Sequence, residues 1–302
     1  MLEQSFSHIK GIGSKTETQI WSSNIYDWSS LKNAKNVPLS HKKHDYLKKE
    51  IIKSEKHLKS NNPNYFSTGL MASQHWRLFN NFKSTTAYLD IETTGLYESS
   101  AIITTIALYD GSEIKYYVNG DNLDDFVNDI FQYNLLVTYN GKCFDIPFIE
   151  KFFNISLHHA HIDLRYVLHS LGYSGGLKGC EKQFGISRND LEGVDGFFAI
   201  YLWEEFVQNK NQKALDTLIA YNIEDVVNLE YLMHKAYNLK ILETPFEKQL
   251  KMDIPERPTI PFTPDLNTIN KIKNRFYNPL KFYQHMERKS TSWKSFKKRY
   301  HY

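Results

Sequence analysis

The sequence predicts an α/β domain built on a mixed sheet flanked by helices, with a small helical N-terminal segment and a basic C-terminal tail. Two observations carry this. Runs rich in β-branched and aromatic residues begin near Thr85, and helical patterns interleave with them afterwards. The short apolar run LLVTY at 135–139 suits a buried strand rather than a helix. At 302 residues the chain can bury a substantial core, which fits one main domain with appendages.

Taken in order, residues 1–31 form a first unit in which Gly11 and Gly13 mark a turn and Ser14 is placed to cap the helix that follows. The unit resembles half of a helix-hairpin-helix. Residues 32–80 are Lys-rich and then Asn-rich, and read as a basic helix plus a connector with a loop at NNPN, 61–64. The main domain, 81–240, opens with AYLDI as a strand, followed by the turn ETTGL and a second β-rich run at 101–110. Gly111 separates that run from EIKYYV, its hairpin partner. DNLDDFVNDIFQY is helical in pattern; LLVTY, a helix over FIEKFF, a strand near HHAHIDL and several helices follow, the last around 213–237. Residues 241–302 form a basic, aromatic extension.

The net charge of +3 conceals a segregation. Residues 32–59 carry nine Lys against three acids, and residues 266–302 carry ten Lys/Arg against one Glu, so the remainder holds a net −12. An acidic domain between basic arms suits a protein that holds cations in a site and grips phosphates around it. Two cysteines, Cys143 and Cys180, supply neither a disulfide framework nor a zinc site. No apolar leader or membrane-length run is visible, so a soluble, cytoplasmic protein in a reducing compartment is expected.

The chemistry lies in three separated acidic contexts. In YLDIET, strand alternation puts Tyr88, Asp90 and Glu92 on one face and Ala87, Leu89 and Ile91 on the other. The apolar face is expected to pack while the carboxylates meet in the open. Two carboxylates this close repel unless a cation favours both charged forms, and hard oxygen ligands without a Cys/His cluster select Mg²⁺ or Mn²⁺. In TYNGKCFDIPF, Asn140-Gly141 turns the chain after a buried strand and delivers Phe144, Asp145 and Pro147 to a helix start. Asp145 is either an N-cap there or a site residue. In YNIEDVVNL, Tyr221 and Asp225 stand four apart on one helix face among apolar neighbours.

These motifs resemble those of the DEDD superfamily of 3′-5′ exonucleases, closest to the YprB-type ribonuclease-H-like family, over roughly residues 85–237. DIETTGL resembles the first exonuclease motif, NGKCFDIPF the second and YNIED the third. Tyr221 lies four residues before Asp225, and Ala220 occupies the place a histidine would take, so the tyrosine-type subclass is the better match. The resemblance implies an RNase H-like mixed five-stranded sheet and two Mg²⁺ or Mn²⁺ ions. Asp90 would bridge both ions, Glu92 and Asp225 complete one shell, and Asp145 hold the other ion through water. Tyr221 would orient the attacking water, its phenol staying protonated near neutral pH. Thr93, Gly95, Leu96, Asn140, Phe144 and Lys178 would serve the substrate.

Other features weigh less. Gly11 and Gly13 either present N–H groups to a phosphate, as hairpin-helix DNA binders do, or form a plain helix-start turn; Glu17 stands where such binders place a small residue. His158, His159 and His161 read as a structural strand rather than a metal cluster. Lys178 and Arg188 contact phosphates or are solvated. Trp293, Phe296 and Tyr300 interleave with Lys294, Lys297, Lys298 and Arg299, a mixture that stacks bases and neutralises phosphates or docks on the core or a protein partner. The expected activity is a two-metal-ion 3′-5′ exonuclease on single-stranded nucleic acid, with DNA favoured over RNA by the GIG segment and a place in DNA repair. The alternatives are a structure-selective endonuclease with the same metals, a catalytically silent nucleic-acid-binding module, and a scaffold acting through its tail.

Overall fold

The computed structural model describes residues 1–95 and 100–276; Leu96 and the aromatic residues expected to act in the tail lie outside them. Five strands form one sheet: β1 (Thr86–Thr93), β2 (Ile103–Tyr109), β3 (Ile114–Val118), β4 (Leu135–Thr138) and β5 (Ala160–Asp163). Their spatial order is β3-β2-β1-β4-β5, antiparallel from β3 to β1 and parallel from β1 to β5. The sheet is therefore mixed and five-stranded, as expected.

Local chemistry explains the connections. The β2–β3 turn is set by Asp110, whose Oδ1 accepts from the Ser112 and Glu113 N–H groups at 2.9 and 2.8 Å, and by Gly111 at φ 91°. Each parallel connection needs a crossover, supplied by the helices Asp125–Ile130 and Asp145–Phe153. The first is only six residues long, shorter than the pattern of DNLDDFVNDIFQY suggests, because the chain from 121 to 124 runs through turns.

Strand alternation divides the core. Ala87, Leu89 and Ile91 of β1 pack with Leu136, Phe126, Ile130 and Ile149 on the crossover side. Tyr88 faces the other way, toward the 30-residue helix Gln212–Ile241. Every residue of that helix from Thr217 to Glu230 is buried, so it has no solvent face to hide a charge on. Asp90 and Glu92 project to this side too, and they meet in a cleft rather than on an open face: Asp90 is half-buried and Glu92 is 7 % exposed.

The N-terminal residues join the same core, with Leu2, Phe6, Trp28, Phe66, Trp76 and Phe79 continuous with Tyr237 of the long helix. Glu17 has a structural task. Its carboxylate accepts from the Phe6 and Ser7 N–H groups at 2.7 and 3.0 Å and pairs with buried Arg77 at 2.9 Å. Ser14 is the first residue of the helix Ser14–Ser22, not its cap; Gly13 takes the cap position without a side-chain bond. The NNPN loop is shorter than expected, since Pro63 opens the helix Pro63–Gly69, where its missing N–H costs nothing. No described helix is long and apolar enough to cross a membrane.

Candidate metal centre

The ladder between β1 and β4 ends at Tyr88↔Val137, so beyond that point the carboxyl end of β1 is paired only with β2. The opening beside it is where a parallel sheet offers a crevice. Asp145 fills the gap in the ladder: its Oδ1 accepts the N–H of Ile91 at 3.2 Å. It is the first residue of its helix rather than the cap, which is Phe144, and the N-cap reading is therefore excluded.

The loop delivering Asp145 is tightly specified. Asn140 adopts φ 66°, and a Cβ on Gly141 would lie 2.3 Å from Thr138 Oγ1, so only glycine fits. Asp163, at the end of β5, fastens the loop by accepting from the Asn140, Lys142 and Arg165 N–H groups at 2.8, 3.1 and 3.0 Å. His161 bonds Thr138 Oγ1 at 2.8 Å and His159 bonds the Ile130 carbonyl at 3.1 Å, so both rings serve the scaffold.

One carboxylate oxygen each from Asp90, Glu92 and Asp225 lie within 4.8 Å of one another, although the residues are separated by as much as 135 positions in the chain. Asp145 lines the same cleft, a space of about 650 Å³ walled by Thr93, Asn140, Phe144, Leu177, Lys178 and Phe197. Burial, reinforced by Asp225 and Asp145, raises Asp90 well above the carboxylate range, and burial and Asp225 do the same to Glu92. Burial pushes Asp145 up to about 7 against the bonds from its own and the Ile91 N–H groups. Asp225 is also raised by burial, opposed by Arg188 and Lys178. An array of buried and half-buried carboxylates that resist ionisation is chemically incomplete, and divalent cations are the partners that such oxygens fit.

Tyr221 stands on the same face of the long helix. Its Oη accepts from Lys178 Nζ at 2.9 Å, and burial followed by Asp225 and Glu92 holds its phenol well above the usual range, hence protonated. Lys178 also donates to the Val194 carbonyl and lies 4.6 Å over the Tyr221 ring, so it is neither solvated nor free on the surface. Arg188 is buried, with Nε and Nη2 on the two Glu181 oxygens at 2.7 and 2.6 Å and Nη2 also on Asp225; the solvated reading is corrected. Thr93 Oγ1 donates to the Gly95 carbonyl at 2.8 Å, and the Asn140 side chain accepts from Arg165 at 2.5 Å. Neither Gly95 nor the pair Gly11 and Gly13 lines the cleft.

Sequence reasoning missed Asn222. It is 1 % exposed, donates from Nδ2 to Asp90 Oδ2 at 2.7 Å and accepts from Thr105 Oγ1 at 3.0 Å, which fixes the amide's orientation toward the acid. The available signal was a buried amide three residues before Asp225 on the helix that carries it.

A family model described as the RNase H superfamily matches residues 87–237, half of the chain. Among solved structures, the family B DNA polymerase from the hyperthermophilic archaeon Pyrobaculum calidifontis aligns at 13 % identity with a TM-score of 0.35. That alignment covers 52 % of this chain and 29 % of the polymerase chain. No curated protein matches the sequence.

Proposed function

The chain belongs to the RNase H superfamily, and on that footing we propose that it is a divalent-metal-dependent 3′-5′ exonuclease of single-stranded nucleic acid. The observation that carries this reading is the convergence of Asp90, Glu92 and Asp225 within 4.8 Å, with Asp145 and Tyr221 in the same cleft. Three sequence contexts with no local reason to meet supply one all-oxygen donor set. That set fits Mg²⁺ or Mn²⁺ in its hardness and its charge, and Asp90, Glu92, Asp145 and Asp225 would hold two ions. Bound there, such ions would supply Lewis-acid charge at the phosphate and acidify a water.

The chain's own residues do the rest. Water attacks phosphorus, the bond from phosphorus to the 3′ oxygen of the preceding nucleotide breaks, and that oxygen leaves with a proton. A mononucleotide and a shortened strand ending in a 3′ hydroxyl result. Because Lys178 donates to Tyr221 Oη, the phenol's own proton is left to hydrogen-bond the attacking water. Asn222 holds the Asp90 carboxylate against rotation. Phe144 and Phe197 offer apolar walls to the terminal nucleoside, and Thr93 and Asn140 line its path. DNA is favoured over RNA only through the likeness of the GIG turn to half of a helix-hairpin-helix; its Gly13 leaves the first-turn N–H groups without a side-chain cap, as a phosphate contact needs.

The test uses single-stranded DNA and RNA labelled at the 5′ end, with Mg²⁺, Mn²⁺ or EDTA, comparing the wild-type chain with Asp90→Ala. The expected result is a ladder shortening from the 3′ end, absent in EDTA and in the variant. Internal cuts at discrete positions would replace this reading by an endonuclease, and retarded but intact substrate would leave a binding module.

A further inference from the structure

We propose a second contact surface for single-stranded nucleic acid, formed by one face of the helix His41–Lys59 and the groove at its C-terminal end; the choice of ligand rests on the nuclease reading. At 3.6 residues per turn, Lys42, Lys49, Lys53 and Lys56 fall within an arc of about 60° and span about 21 Å along the axis. All four are exposed, and Tyr46 lies among them at 38 % exposure. The opposite face, with Leu47, Ile51 and Ser54, is buried. Glu50 accepts from Lys53 at 2.7 Å and so offsets that lysine, but among the described residues Lys42, Lys49 and Lys56 form no ion pair and carry the charge of the stripe.

The stripe runs into a groove. Ser60 follows Lys42 by about five turns and so continues the same line, and it borders a space of about 540 Å³ with Asn61, Asn134, Phe131 and His159. Phe131 is 53 % exposed, with its ring stacked on His159 at 5.8 Å and 24°. Burial lowers the His159 pKa and keeps that ring neutral. An exposed, backed aromatic beside the Asn61 and Asn134 amides is a platform for a base, and the lysines upstream are spaced along a phosphate chain. None of these groups lines the cleft, which holds Asp90, Glu92, Asp145 and Asp225, whereas the stripe lies in the basic segment 32–59 with nine Lys against three acids. A basic tether elsewhere lets a polyanion be held while its 3′ end is presented to carboxylates.

Binding of a fluorescent single-stranded oligonucleotide to the full chain is measured by anisotropy in EDTA across salt concentrations, so that it is read whether or not the chain cleaves. Removing three phosphate contacts in Lys42→Glu/Lys49→Glu/Lys56→Glu is expected to reduce the slope of log Kd against log salt by about two. Phe131→Ala should weaken binding about tenfold with the slope unchanged. In both variants kcat with Mn²⁺ on a trinucleotide should stay at the wild-type value. Wild-type slope and Kd in the triple variant, or wild-type Kd in Phe131→Ala, would overturn the proposal. A chain that binds in this way yet never cleaves would keep the surface and remove the nuclease reading instead.

Discussion

Replacing Asp145 by Asn should flatten the pH dependence of stability in the metal-free chain. Asp145 is 4 % exposed and its pKa is pushed from 3.8 up to about 7. In the unfolded chain the group ionises near pH 4, whereas in the folded chain it keeps its proton to about pH 7. Its raised folded pKa therefore contributes stability that is fully present below pH 4 and is lost as pH rises toward 7. The shift of about 3 units corresponds to a loss of up to about 4 kcal/mol across that window. Asn keeps an oxygen for the Ile91 N–H, so the variant retains the bond between strand and helix while removing the titration. The assay is urea unfolding in EDTA, followed by far-UV circular dichroism at several pH values between 4 and 8. The variant should be the more stable at pH 8 and its curve the flatter. Saturating Mn²⁺ should return the lost stability to the wild-type chain and add less to the variant. Parallel curves for the two chains between pH 4 and 7 would refute the reasoning.

Other substitutions test separate links. Asn222→Ala removes a hydrogen bond to a charged group, worth about 1.5–3 kcal/mol, and should raise the Mn²⁺ concentration for half-maximal turnover by about tenfold or more while KM for the oligonucleotide changes little. Tyr221→Phe keeps the ring against Lys178 but loses the hydroxyl, so single-turnover kinetics should show the chemical step slowed about a hundredfold with Mn²⁺ affinity unchanged in a calorimetric titration. Arg77→Met leaves Glu17 buried without its counter-charge and should cost about 3–5 kcal/mol in urea unfolding, far from the cleft chemistry.

The acids were legible because their chemistry resides in residue type and short spacing. Alternation put Asp90 and Glu92 on one strand face and helical periodicity put Tyr221 with Asp225, and both arrangements hold in three dimensions. The mixed α/β character and the interleaved helices followed from where β-rich and helical runs fall, whereas the order β3-β2-β1-β4-β5 comes from the structure. The depth of the site was not legible. It depends on a helix buried along its whole middle, and the run from Thr217 to Glu230 contains enough polar residues to read as half-exposed. Contacts joining distant positions leave no periodic trace: Asn222 to Asp90 spans 132 residues, Arg188 to Asp225 spans 37, and Glu17 to Arg77 spans 60. Each links a polar group that looks ordinary in its own segment. The GIG turn misled in a smaller way, because a serine after glycine resembles a cap, yet the first helical turn begins at Ser14 itself.

The most direct test of the central claim is anomalous diffraction from crystals grown with Mn²⁺. Two anomalous peaks are expected within the cluster of Asp90, Glu92, Asp145 and Asp225, both lost in Asp90→Ala. Peaks elsewhere, or none at these carboxylates at saturating Mn²⁺, would contradict it.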